Sequence, residues 1–139
     1  MAKVGVVYWS GTGNTKAMAD AIIEGAKAAG AEVSDIPVTE FTRDSVGSYD
    51  TYAFGCPSMG AEVLEEAEFQ PMWDDVKEAL RGKNIVLFGS YGWGDGEWMR
   101  NWVAECEDIG LNVIENYMAN EAPDDAAVAT CKDLGAKLA

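Results

Sequence analysis

The chain has 139 residues, 48% hydrophobic and 24% charged, a size and balance that suit one soluble globular domain with a full core. Its 24 Asp plus Glu against 10 Lys plus Arg give a formal net charge of −14. That field argues against nucleic acid and anionic membranes, favours a monomer and steers encounter with basic partners, although acidity also serves solubility alone. Histidine is absent, which excludes Ser-His and Cys-His catalysis and His-ligated metals. Cys56, Cys106 and Cys131 have no metal-ligand spacing and read as reduced thiols of a cytoplasmic protein. No apolar run reaches the length of a membrane span, and the first residues read as a strand rather than a signal peptide.

In chain order, KVGVVYW (3–9) is the first predicted strand. Met18, Ala21, Ile22, Gly25 and Ala29 share a helical face, with Asn14 or Thr15 placed to cap its start. EVSDIPV (32–38) is a weaker strand, shortened by Pro37, and 39–50 holds at most one short helix. TYAFGC (51–56) is the third strand. Met72, Trp73, Val76, Ala79 and Leu80 mark a helix ended by Arg81 and Gly82. NIVLFGS (84–90) is the fourth strand, followed by a helix carrying Trp98, Trp102, Val103, Cys106 and Ile109 and stopped by Gly110. NVIENYM (112–118) is the fifth strand, and a last helix begins after Asp124. Strands alternating with helices predict an α/β fold, a doubly wound parallel sheet with helices on both faces, in a single domain spanning 1–139.

Ligands of such sheets bind beyond the carboxyl ends of the strands, where strand order reverses. The segments there are SGTGNT, CPSMGAE, GSYGWGDGE and ANEAPD. In the first, Gly11 and Gly13 let backbone N–H groups turn toward an anion, while Ser10, Thr12, Asn14 and Thr15 add donors at a helix N-terminus. This reads as a phosphate cradle; a dinucleotide fingerprint and a Walker loop both fail on spacing. Lys16 either adds charge there or points to solvent. In the third segment Trp93 offers a stacking face for a planar ligand, and its flanking glycines bring main-chain donors to the ligand's polar edge. Trp98 reads as core. Met59 is a soft apolar wall or core, and Glu62 an acceptor for a ring N–H or a solvated charge.

Taken together, WSGTGNT, CPSMG followed by Glu62, and GSYGWGDGEWM resemble a short-chain flavodoxin of the clostridial type over essentially the whole chain. The resemblance implies strand order 2-1-3-4-5, one non-covalent FMN and a low-potential one-electron carrier shuttling between semiquinone and hydroquinone with redox partner proteins. It puts Ser10, Gly11, Thr12, Gly13, Asn14 and Thr15 around the FMN phosphate, and Ser58 and Ser90 near the phosphate and ribityl chain. Trp93 would cover the outer ring face and Met59 the inner. The N–H groups of Gly92, Trp93 and Gly94, beside Tyr91, would meet the pyrimidine edge, and Glu62 would receive N3–H. The Gly60 peptide would flip to accept the N5 proton. Lys16 and Ala61 depart from the pattern, where relatives often carry an acidic and a polar residue.

Glu62, Glu65, Glu66, Glu68, Asp95 and Glu97 cluster in two of the loops, and are expected to oppose a negative reduced flavin and to dock basic partners. The competing reading is an FMN-dependent two-electron reductase, or a flavodoxin-like domain of a larger one. A phosphorelay receiver and a small tyrosine phosphatase fail on the residues after strands one and three.

Overall fold

The computed structural model describes residues 2–11, 13–59, 63–92 and 94–139. Five parallel strands, β1 (Lys3–Tyr8), β2 (Glu32–Pro37), β3 (Thr51–Gly55), β4 (Asn84–Tyr91) and β5 (Asn112–Asn120), lie in the order 2-1-3-4-5. The inner strands are buried on both faces, which is why they read as unbroken apolar runs. The helices are α1 (Asn14–Ala28), α2 (Phe69–Val76), α3 (Glu97–Ile109) and α4 (Asp125–Leu138).

Two apolar layers sandwich the sheet. On one face Met18 and Ile22 of α1 and Cys131, Leu134 and Leu138 of α4 pack on Val4, Val6, Ala53, Val86 and Phe88. On the other, Trp73 and Val76 of α2 and Trp98 and Trp102 of α3 pack on Tyr52, Phe54, Ile85 and Leu87. Trp73 lies edge-on to both Phe54 and Trp102, at 5.2 and 5.6 Å between ring centres, a favourable arrangement of ring quadrupoles. α1 and α4 touch backbone to backbone. A Cβ on Gly25 would sit 2.0 Å from the Lys132 carbonyl oxygen, and one on Gly135 2.0 Å from that of Ile22.

Several local expectations are corrected. Neither Asn14 nor Thr15 caps α1; both lie inside it, and the cap position is Gly13, at φ 96°. The second crossover helix starts earlier than its apolar face suggests, at Phe69, because Pro71 falls within the first turn, where its missing N–H is harmless. It then tightens into a 3-10 turn over Lys77–Leu80. The 38–48 region holds two 3-10 turns, Val38–Glu40 and Arg43–Ser48, rather than one helix. In β5, Ile85 faces Val113 and Val86 faces Glu115, so Ile114 is an inserted bulge residue. Gly110 stops α3 in a left-handed conformation and Asp124 caps α4 by accepting from the Ala127 N–H, as the sequence predicts.

Candidate functional site

The chain leaves β1 for β2 on one side and returns through β3 on the other, so the order reverses between β1 and β3. Loops from both strands and from β4 diverge there. The first is organised by Ser10. Its Oγ accepts from the N–H of Gly13 at 3.1 Å and of Lys16 at 3.3 Å, fixing the entry into α1 where first-turn N–H groups have no partner within the helix. Thr15 is buried, and its hydroxyl shares a 3.1 Å hydrogen bond with Ser90 Oγ at the end of β4. That bond ties the first loop to the third across 75 positions of sequence. Thr12 lies outside the described residues.

The second loop continues the β3–β4 ladder: Cys56 N–H donates to the Phe88 carbonyl and Ser58 N–H to the Ser90 carbonyl, at 3.1 and 3.0 Å. Met59 and Val63 then exchange two backbone bonds of 2.9 and 3.0 Å. This pair brackets positions 60–62, so the readings of Gly60, Ala61 and Glu62 fall outside the described residues. Below the loop the buried Glu65 carboxylate accepts N–H groups from Ala67, Glu68 and Phe69 at 2.7–2.8 Å. Burial pushes its carboxyl up, and the three donors outweigh that and hold it below its ordinary value. Glu65 therefore belongs to the anchor of α2 and not to the acidic rim expected from sequence. The Cys56 thiol beside it, buried, is pushed up to about 12 and stays protonated.

The third loop carries Tyr91, Gly92 and Gly94 outward from β4 to Gly96, which caps α3. Trp93 lies outside the described residues. Trp98 is core, as expected, and its indole N–H also reaches back 3.2 Å to the Cys56 carbonyl under the second loop. Arg100 clamps Asp95 through both its carbonyl and its carboxylate. The fourth loop joins through Glu121, which adopts φ 56° and donates its N–H to the Tyr91 carbonyl at 2.7 Å.

Between these loops lies a pocket of about 250 Å³. Gly11, Asn14, Ser58, Met59, Ser90, Tyr91 and Gly92, all anticipated from sequence, line it. Ser10, Gly13 and Thr15 are not in its wall but are tied by hydrogen bonds to the loops that form it, and Gly94 is exposed and is not part of the wall. Sequence reasoning missed Trp9, Pro57 and Glu121, which also line it. Trp9 carried a signal: an indole between the last strand residue and a glycine-rich turn has no strand face to bury it. No Lys or Arg is among the described residues of the wall. Lys16 is exposed and pairs with Asp20 at 3.0 Å along the helix. A mostly apolar slot ending in hydroxyls and a helix N-terminus matches a planar heterocycle carrying a phosphate. Among the described residues, no group of His, Cys, Asp and Glu could hold a metal, and no helix is long and apolar enough to cross a membrane.

The flavodoxin family model matches residues 6–135. The flavodoxin of Megasphaera elsdenii is 48% identical over 132 residues, covering 95% of each chain. That of Clostridium beijerinckii is 41% identical over 134 residues, covering 96% of this chain and 97% of its own. The solution structure of two-electron reduced Megasphaera elsdenii flavodoxin superposes with a TM-score of 0.90 at 47% identity, covering 97% of both chains. The strand order, the pocket at its reversal and these relatives agree: the chain belongs to the flavodoxin family, FMN-carrying electron-transfer proteins, rather than enzymes, that exchange electrons with redox proteins.

Proposed function

We propose that residues 1–139 form one domain that binds a single FMN non-covalently in the pocket at the sheet reversal, and that electrons enter and leave one at a time at low potential. The observation that carries this is the Ser10-braced turn facing an apolar slot: the turn suits a phosphate and the slot a ring system. FMN supplies the redox chemistry. This chain's residues bind, orient and tune.

Ser10, Gly11, Thr12, Gly13, Asn14 and Thr15 surround the phosphate in this reading. The Thr15–Ser90 pair fixes the floor beneath it, and Ser58 faces the ribityl chain. Met59 and Trp93 enclose the ring, and the peptides at 91–94 meet its pyrimidine edge. Glu62 accepts N3–H, and the Gly60 carbonyl is the group that would hold a proton at N5; Ala61 contributes only backbone. For Thr12, Gly60, Ala61, Glu62 and Trp93 the support is the sequence motif alone.

The low potential rests on charge. The described wall offers no cation and includes Glu121, and the exposed Glu66 and Glu97 follow the second and third loops in sequence. Adding an electron in such a field is disfavoured. The same charges favour basic redox partners, with fast and salt-sensitive association. Three buried, protonated thiols suit a cytoplasmic location.

The test is anaerobic stepwise reduction of the FMN-reconstituted protein, followed by visible absorption. Two resolved one-electron steps are expected. A single two-electron step would reassign the chain to a reductase, and failure to retain FMN would overturn the site.

A further inference from the structure

Trp9 is a wall shared by two spaces. On one side is the pocket of about 250 Å³; on the other is an open groove of about 490 Å³ that also borders Ser10, Lys16 and Asp35. This half-buried ring borders both. Its backbone is fixed, since the Trp9 N–H donates to the Gly55 carbonyl at 3.0 Å. The indole packs against bare Gly11, where a Cβ would come within 2.9 Å of the ring. Its Nε1–H donates 3.1 Å to Glu68 Oε1, across 59 positions of sequence. Glu68 is placed in turn: its own N–H is held at 2.7 Å by the buried Glu65 carboxylate, whose backbone N–H meets the Cys56 thiol.

We infer that Glu68 is a positioning residue for the cofactor: through the Trp9 indole it keeps the phosphate side of the FMN pocket closed toward the neighbouring groove. The inference rests on the proposed FMN site. With the bond intact, Trp9 spans the gap between the first loop and the start of α2. Without it, the indole is free to turn about its side-chain torsions into the groove, and FMN gains a lateral exit. The sign of the effect is diagnostic. Glu68 shares the groove with Ser10 and Lys16, so deleting its charge alone relieves repulsion of a phosphate and should slow FMN loss. Losing the latch should speed it.

The experiment uses the full chain. Apoprotein is reconstituted with FMN, and release on large dilution is followed by the recovery of free-flavin fluorescence. The parent's quenching on FMN addition tests the site itself, separately from the latch. Glu68→Ala and Trp9→Phe should each raise the release rate about fivefold, the worth of one ordinary hydrogen bond. The double variant should be no faster than either single one. Glu68→Gln keeps an acceptor and should release FMN no faster than the parent. A parent that binds and quenches FMN, with single variants releasing within about twofold of it, would overturn the inference. So would effects that multiply to roughly 25-fold, as independent contributions do. The apoprotein melting temperatures of Glu68→Gln and Trp9→Phe, both conservative, confirm that a folded chain is being compared.

Discussion

Replacing Ser10 by alanine should cost the apoprotein little and its grip on FMN much. Ser10 Oγ takes donations from the Gly13 and Lys16 N–H groups, so its lone pairs are engaged and its own O–H is left to donate outward. The substitution removes both contributions. Loss of a side-chain brace at a helix start costs about 1 kcal/mol, which for a chain of this size lowers Tm by about 3 °C. Loss of a donor to a charged phosphate costs about 1.5–3 kcal/mol, or roughly 10- to 150-fold in Kd. Riboflavin has the same ring without the phosphate and serves as the internal reference. Fluorescence titration of the apoprotein with each flavin should show FMN affinity falling by that factor and riboflavin affinity nearly unchanged. An equal loss for both would mean the damage is to the fold. An unchanged FMN affinity would remove Ser10 from the cradle and refute the reasoning.

Gly135→Ala puts a methyl group 2.0 Å from the Ile22 carbonyl oxygen; it should destabilise by about 2–3 kcal/mol or more as α1 and α4 are forced apart, read as a lower urea midpoint with FMN affinity per folded molecule retained. Glu65→Gln leaves a buried amide NH₂ facing three N–H donors and should cost about 1–3 kcal/mol. The Glu65 carboxyl is lowered from its ordinary 4.5, so below that value the unfolded chain binds more protons and stability rises with pH. Its stabilisation is thus present at neutral pH and lost as pH falls through its folded value, and the variant's unfolding curve should lack that part of the acid limb. At the alkaline end the signs reverse. Cys56 and Cys106 are raised to about 12 and Cys131 to about 11, chiefly by burial. Above the ordinary thiol value of 9 the unfolded chain ionises first and stability should fall, by ~1.4 kcal/mol per pH unit per thiol. Native protein at pH 8 should accordingly leave all three thiols unreacted with a disulfide reagent until urea unfolds it.

The fold was legible because its evidence is local. Apolar strand runs, helical faces, Gly110 as a stop and Asp124 as a cap depend on neighbours within a few residues, and the structure keeps them. The glycine-rich turns marked two of the loops that line the pocket for the same reason: a backbone that must approach a ligand excludes side chains wherever it occurs. What the sequence left open depends on distant partners. Ser10 rather than Asn14 or Thr15 braces α1, because only the folded turn brings its Oγ under two N–H groups. Glu65 looks like one more surface acid until three backbone donors and the sheet close around it. Trp9 and Glu121 join the pocket, and Thr15 meets Ser90, through contacts that arise once the strands assemble in the order 2-1-3-4-5. Sequence alone determined the elements and the chemical character of the loops, since propensity and periodicity act at short range. Which carboxylates line the pocket and which are spent on the scaffold was decided by tertiary packing, since burial and hydrogen bonding across long separations are properties of the assembled sheet.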